Sequence, residues 1–208
     1  MKVLLFNGSP HKAGCTYTAL CEVAKALEAC GVETELIQVG SKPFHGCMAC
    51  GACHKTGKCA FGDQDGLNEI ASKCTEADGF VFGSPVYYAS ANGTLTGFMD
   101  RLFFSAGPVM AHKPAAAIVS ARRGGTTASF DQLNKYFTIS QMPIVSSTYW
   151  NMVHGSKPED VTQDLEGLQT MRNLGTNMAW LLNCIAAGKQ AGIEIPTAER
   201  GAWTNFIR

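Results

Sequence analysis

The chain has 208 residues, 46% of them hydrophobic, and its 17 basic and 17 acidic side chains cancel. This length and apolar content predict a single domain with a full core. Balanced charge without a basic run argues against a nucleic-acid partner, and no stretch of the sequence has the length of a membrane span. The first residues enter an apolar run without a charged leader, so we expect a cytoplasmic protein whose nine cysteines are thiols or metal ligands.

Short apolar runs alternate with amphipathic helical patterns along the chain. The predicted strands are residues 2–6, 32–39, 79–83, 115–120 and 144–148. The predicted helices include Leu20 to Cys30, Leu67 to Ala77, one that follows an N-cap at Asn92, Phe130 to Phe137, and Leu165 to Ala187. This alternation predicts an α/β fold of three layers, with a doubly wound five-stranded parallel sheet of flavodoxin-like order 2-1-3-4-5. We expect residues 1–194 to form this domain and residues 195–208 a C-terminal arm.

The loop after the first predicted strand matches neither a nucleoside triphosphate loop nor a dinucleotide fingerprint. It contains small residues, hydroxyl groups and a lysine, and it leads into a helix N-terminus, where exposed amides attract anions. We therefore predict a phosphate-binding loop here. Its candidate residues are Ser9, His11, Lys12, Gly14, Cys15, Thr16 and Thr18.

Four cysteines follow the second predicted strand with the spacing C-x2-C-x2-C-x5-C, namely Cys47, Cys50, Cys53 and Cys59. Two-residue gaps allow one loop to turn successive thiolates toward a common centre, as in ferredoxin-type runs that hold an iron-sulfur cluster. Zinc also accepts four thiolates, although structural zinc sites usually use two separate C-x2-C pairs. Three interpretations stay open: a cluster, zinc, or reduced cysteines without metal.

Two further loops lie at predicted carboxyl ends of strands, where such sheets bind ligands. After the third strand, adjacent tyrosines can cover a flat ring while a proline fixes the backbone. After the fourth strand, glycines permit close approach and an arginine can bind an anion. The candidate residues are Pro85, Val86, Tyr87, Tyr88, Ser90 and Asn92 in the first loop, and Arg122, Gly124 and Gly125 in the second.

Taken together, these motifs resemble the NADPH-dependent FMN reductase and iron-sulfur flavoprotein family. The resemblance rests on Gly8-Ser9-Pro10 with Gly14-x-Thr16, on Ser84 to Tyr88 followed by Asn92 to Leu95 and Phe98 to Arg101, on the cysteine loop, and on Tyr149 to Gly155. It implies FMN at the three loops, NADPH or NADH as electron donor, and a homodimer or homotetramer. It also implies that a 4Fe-4S cluster can be carried by the four cysteines. The family's phosphate loop usually has Arg and Asn where this chain has His11 and Cys15.

The resemblance implies flavin-mediated electron transfer, for which the protein needs no catalytic acid-base residue of its own. One hypothesis is an enzyme that reduces small acceptors such as quinones, nitro compounds or free flavin. A second is an electron carrier that serves a redox protein and has little turnover alone. A third is a zinc-stabilised binding module without redox activity.

Two further expectations concern the end of the chain. His154 follows the last predicted strand and is expected to pack near the flavin or a subunit interface rather than bind zinc. The C-terminal arm carries Trp203, Phe206 and Ile207 beyond the helix-breaking Pro196, and we expect it to cross to a neighbouring subunit.

Overall fold

The computed structural model describes residues 1–202, 204 and 206. Its sheet has the strand order β2-β1-β3-β5-β6, and the small strand β4 pairs antiparallel with the end of β3. The strands are β1 (Lys2–Asn7), β2 (Glu33–Gln38), β3 (Gly79–Tyr87), β4 (Ser90–Ala91), β5 (Ala115–Ala121) and β6 (Met152–His154). Counted without β4, the five parallel strands have the order 2-1-3-4-5, so the predicted flavodoxin-like sheet is confirmed.

Helices cover both faces of the sheet. They are α1 (Cys15–Ala29), α2 (Ala52–Thr56), α3 (Gly62–Asp65), α4 (Leu67–Glu76), α5 (Gly93–Met110), α6 (Thr126–Ile139), α7 (Pro158–Val161) and α8 (Leu165–Gln190). Alternate residues of β1 point to opposite faces, so Val3 and Leu5 pack with α1 and α8, whereas Leu4 and Phe6 pack with α4, α5 and α6. None of the described helices is long and apolar enough to span a membrane.

The predicted strand at residues 144–148 is wrong. Ile144 makes only an isolated bridge to Ala115, and the fifth parallel strand is β6, in which Met152 pairs with Val119. The segment leaves the sheet because its polar groups bond to α8: the Ser147 hydroxyl donates to the Thr170 carbonyl at 2.7 Å. Residues 144–148 thus have the composition of a strand, but they hydrogen-bond to helix α8 instead of to a neighbouring strand.

The N-cap of α5 is confirmed, since the Asn92 side chain accepts a hydrogen bond from the Thr94 amide at 2.9 Å. The sequence also predicts that one stripe of α8 faces inward, and five of its residues pack in or against the core, namely Leu168, Met171, Leu174, Met178 and Leu181. The sixth, Ile185, is 41% exposed instead of buried. Leu182 lies beside Gly79, the first residue of β3. The turns of α8 after Leu182 therefore extend past the amino end of this strand.

Candidate functional site

A crevice of about 570 Å³ opens at the carboxyl ends of the central strands. Its walls come from the loop after β1, the end of β3, the end of β5 and the loop after β6. The fold brings these predicted residues together around it: Ser9, His11, Gly14, Cys15, Thr16, Pro85, Val86, Tyr87 and Arg122. A volume of this size is in the range of ligand pockets, roughly 300–1,000 Å³.

The start of α1 forms the end of the crevice that is suited to an anion. Within the described residues, no side chain caps this helix at Gly14 and no acidic residue lies in its first turn. The amides of that turn therefore present the positive end of a 15-residue helix to the crevice. Thr16 is buried there, and its hydroxyl shares a 2.8 Å hydrogen bond with that of Ser120 on β5. A phosphate fits the chemistry of this end.

Side chains outside the crevice fix the loop after β1 from behind. Asn92 donates its amide N–H to the Gly8 carbonyl at 2.6 Å, and Gln38 donates to the Ser9 carbonyl at 2.7 Å. The Ser9 amide donates to the Asn7 side chain at 3.1 Å. Because protein side chains already bond to its carbonyl groups, the loop is held in one conformation by the fold itself.

The end of β3 supplies one flat wall. Pro85, Val86 and Tyr87 line the crevice, and Tyr87 is 44% exposed there. The next turn places Tyr88 and Ala89 in the left-handed region, with φ of 51° and 58°, and leaves Tyr88 fully exposed. A Cβ on Gly125 would lie 2.6 Å from the Ala89 Cα, so Gly125 packs closely against this turn, and it lies outside the lining of the crevice. Tyr88 stands outside the lining of the crevice.

Several other predicted residues also lie outside the lining. Thr18 is turned away, because its hydroxyl donates to the Gly14 carbonyl at 3.2 Å. The Ser90 hydroxyl donates to Gln132 at 2.8 Å. Asn92 supports the loop after β1 rather than facing the cavity. Lys12 and Gly124 are exposed, and neither lines the crevice.

One wall was missed by reasoning from sequence: Gly155, Ser156, Lys157 and Pro158. This segment follows β6, and the error in placing the last strand concealed its position at a carboxyl end. The Cys15 thiol donates to the Gly155 carbonyl at 3.6 Å, which joins α1 to this wall. Burial raises the pKa of the Cys15 thiol, and the nearby Asp160 and Glu159 raise it further, so the group acts as a neutral donor.

His154 lies at the end of β6, beside this wall but outside the cavity lining. Its ring Nδ1 is 3.6 Å from the Asp164 carboxylate, and its backbone amide donates to the same carboxylate at 2.7 Å. The residue therefore connects β6 to the start of α8.

The four cysteines of the C-x2-C-x2-C-x5-C motif line a second cavity, of about 270 Å³. Cys47 and Cys50 are exposed, and Cys53 and Cys59 are half-buried. The remaining wall includes the rings of Phe61 and Phe104 and one buried cation, Arg101. This cavity shares no lining residue with the crevice among the described parts of the chain.

The positions of the sulfurs bear on which metal group would suit this cavity. In the described residues, no group of three or more His, Cys, Asp or Glu side chains is placed to hold a single metal ion. Zinc would draw four sulfurs together, since Zn–S bonds are only about 2.3 Å long. An iron-sulfur cube bonds each thiolate to a different iron, so its ligand sulfurs lie farther apart than those of a zinc site.

Arg101 carries a charge inside the protein that neighbouring groups must compensate. Burial alone would lower its pKa, but hydrogen bonds to Asp65 and Cys59 outweigh burial and raise the pKa. The guanidinium is therefore a permanent cation beside the fourth cysteine.

Comparisons with known proteins agree with this geometry. The family model described as NADPH-dependent FMN reductase matches residues 1–157. An iron-sulfur flavoprotein of Methanocaldococcus jannaschii is 34% identical over 193 residues, covering 89% of this chain and 99% of the relative. An FMN-dependent NADPH-azoreductase of Staphylococcus saprophyticus is 32% identical over 103 residues, covering 49% of this chain and 52% of the relative.

Solved structures resemble the fold. A flavone reductase has a TM-score of 0.68 at 17% identity, with 89% of this chain and 64% of that chain covered. A WrbA-like flavodoxin of Agrobacterium tumefaciens has a TM-score of 0.60 at 16% identity, with 88% and 96% covered. At these identities, the likeness shows the flavodoxin-like fold alone.

Proposed function

Because the chain belongs to the NADPH-dependent FMN reductase family, and is thus an oxidoreductase, we propose that it takes electrons from NADPH or NADH through FMN and passes them to small acceptors of quinone, flavin or nitro type. The observation that carries this proposal is the crevice at the carboxyl ends of the strands, which joins an uncapped helix N-terminus to a flat wall. A cytoplasmic location is part of the same proposal.

In this proposal the phosphate of FMN lies at the start of α1. Amides of the first turn, together with Ser9, Thr16 and His11, would bind it. Lys12 and Thr18 were also predicted here, but the hydroxyl of Thr18 is directed at the Gly14 carbonyl.

The ring of FMN would lie against Pro85, Val86 and Tyr87. Tyr87 would shield the ring from water, while Arg122 and the Lys157 ammonium supply positive charge at the mouth of the crevice for an anionic nicotinamide donor. Bound FMN would supply two-electron transfer between the nicotinamide donor and the acceptor. The chain contributes orientation, exclusion of water and a fixed positive field.

A second candidate function is that of an electron carrier for a redox protein. It is favoured by the cavity that all four cysteines share, and by full-length similarity to a relative named iron-sulfur flavoprotein. Cys47, Cys50, Cys53 and Cys59 would hold a 4Fe-4S cluster, which supplies one-electron transfer.

Anaerobic rapid mixing of the purified holoprotein with NADPH or NADH separates the two functions. The enzyme should lose its flavin absorbance within the time of one turnover without a partner, and a quinone should restore it. Slow loss of absorbance that a low-potential redox protein accelerates would favour the carrier. Protein without flavin or iron after anaerobic purification would refute both proposals.

Homo-oligomer formation, as a dimer or tetramer, is also proposed, with the C-terminal arm as the exchanged element. Ile193 and Ile195 are 71% and 69% exposed, and Phe206 is 93% exposed, which is unusual for a segment that serves only its own domain. Trp203 and Ile207 lie outside the described residues. A chain that ends at Ile195 should have a lower assembly mass by light-scattering chromatography than the intact chain. An unchanged mass would place the arm on its own domain.

A further inference from the structure

Cys59 is held more firmly than the other three cysteines of the motif. Its amide donates to the Asn68 side-chain oxygen at 3.0 Å, and its carbonyl accepts from the Asn68 amide nitrogen at 3.0 Å. Asn68 itself is steadied by a 2.8 Å bond from this nitrogen to Asp63. By contrast, Cys47 and Cys50 lie in an exposed segment without regular secondary structure.

The sulfur of Cys59, like its backbone, is held by hydrogen bonds. Arg101, on α5, places both Nε and Nη2 at 3.4 Å from this sulfur, so two arms of one planar fork point at a single atom. The third contact of the guanidinium, from Nη1, is an ion pair with Asp65 at the end of α3. The side chain of Arg101 is 1% exposed, and a cation so deeply buried persists only where its partners are fixed.

We propose that Arg101 is a positioning residue for the metal group: it holds the fourth cysteine sulfur in place and makes a bound iron-sulfur cluster easier to reduce. This inference rests on the proposed 4Fe-4S cluster. Reduction adds a negative charge, and N–H groups directed at a ligand sulfur stabilise the more negative state. Asp65 opposes this effect, because it places a carboxylate on the far side of the same guanidinium.

Three variants of the holoprotein test the proposal. Arg101→Lys keeps the buried charge but loses the two N–H groups directed at the sulfur. Arg101→Met combined with Asp65→Asn removes both charges of the ion pair. Asp65→Asn alone removes the carboxylate and leaves both N–H groups on the sulfur. In Asp65→Asn, the side-chain oxygen that accepts the Leu67 amide at 3.2 Å is preserved. The matched control is Arg172→Met, which removes an exposed arginine paired with Glu22 on the opposite face of the sheet.

The measurements are iron and sulfide content, the rate of iron loss to a chelator, and the reduction midpoint of the cluster in an equilibrium titration. At the wild-type midpoint, we expect the ratio of reduced to oxidised cluster to fall about tenfold in the double variant, which is 59 mV for one electron. Arg101→Lys should shift the midpoint in the same direction by less, and should lose iron faster. Asp65→Asn should shift it in the opposite direction, and Arg172→Met not at all.

Midpoint shifts of opposite sign in Arg101→Lys and Asp65→Asn would distinguish an effect on the cluster's reduction potential from a merely structural role. A structural role would lower iron content in Arg101→Lys and Asp65→Asn alike and leave the midpoint of the remaining cluster unchanged, which would overturn the proposal. Should the double variant fail to fold, the two single variants decide by the same signs. Wild-type protein without iron would refute the cluster itself, a result visible before any variant is made.

Discussion

The crevice and the cysteine cavity differ in what holds their walls in place. The crevice is built on the ends of hydrogen-bonded strands, and its polar anchors Ser9, Thr16 and Ser120 are buried. Most of the cysteine cavity is built on residues 45–61, whose only regular element is the five-residue α2 between left-handed glycines at Gly51 and Gly57. Helix α5 adds Arg101 and Phe104.

This difference separates a site that the fold organises from one that its ligand must complete. In the crevice, the loop carbonyls are bonded to Asn92 and Gln38, which are side chains of the protein itself. In the cysteine cavity, Cys59 is the one of the four whose amide and carbonyl both bond to a side chain, Asn68, and whose sulfur has two donors. Bound FMN and the proposed cluster should therefore be separable by mutation, and each prediction below tests that independence.

The largest effect is expected from Thr16→Glu, which places a carboxylate at the uncapped start of α1. Repulsion of the FMN phosphate should reduce bound FMN from one per chain to less than about a tenth. Bound flavin is measured by absorbance after gel filtration, and iron content should stay at the wild-type level. Thr18→Glu is the matched control, since that side chain is turned away from the crevice. Stoichiometric FMN in Thr16→Glu would show that the phosphate lies elsewhere.

The converse experiment is Cys50→Ser, which removes one exposed thiol of the cavity. Because serine is a poor iron ligand, iron and sulfide should fall to background while FMN per chain stays unchanged. Cys30→Ser, an exposed cysteine at the end of α1, is the control and should alter neither. Loss of FMN together with iron in Cys50→Ser would mean that the crevice depends on the cluster, contrary to the comparison.

The parts of the fold with strong local patterns could be predicted from sequence. Buried runs such as Leu4 to Phe6 identify central strands, and Asn92 identifies a helix start. The last strand could not be predicted, because Met152–His154 is only three residues long and carries no alternation of its own. Its pairing depends on β5, and residues 144–148 imitate a strand better than it does.

The site residues also include some that the sequence could predict and others that it could not. Position at a carboxyl end was sufficient to predict Ser9 and Pro85. Thr18 could have been excluded, since residues two apart on a helix lie on different faces and Thr16 already faces the crevice. Arg101 could not be linked to Cys59 from sequence, because 42 residues separate the two and only packing of α5 joins them.

A smaller effect should follow from removing the support behind the phosphate loop. Asn92→Ala loses the N-cap of α5 and leaves the Gly8 carbonyl unpaired, so we expect a loss of about 2 kcal/mol in unfolding free energy. The FMN dissociation constant should rise about tenfold, as measured by fluorescence titration of the apoprotein. Iron content should not change.

Asn92→Asp divides the two roles of this residue. Aspartate keeps an acceptor for the Thr94 amide but has no N–H for Gly8, so the helix cap survives and the loop loses its anchor. FMN binding should weaken as in the alanine variant, with a smaller loss of stability in denaturant unfolding. Wild-type FMN affinity in Asn92→Asp would mean that the bond to Gly8 does not shape the loop.

The smallest effect concerns β2, the strand that leads toward both regions. Glu35 bonds to Lys2 and Lys73 at 2.7 Å each, and these hydrogen bonds lower its pKa below the ordinary value. A carboxylate with a lowered pKa stabilises the folded state above its unfolded pKa, and this contribution disappears as pH falls through the folded pKa. Glu35→Gln should therefore cost about 0.5–1 kcal/mol at pH 7, as for a partly exposed pair. The difference from wild type should decline as pH falls below the ordinary glutamate pKa of about 4.3, and vanish below the lowered pKa of the folded state. Urea unfolding across pH measures this difference.

FMN and iron content in Glu35→Gln should equal those of the wild type, because Gln38, at the other end of β2, keeps its own bonds to Ser9 and Asn7. A pH-independent difference would assign the effect to packing, and loss of either cofactor would show that β2 couples the two regions after all.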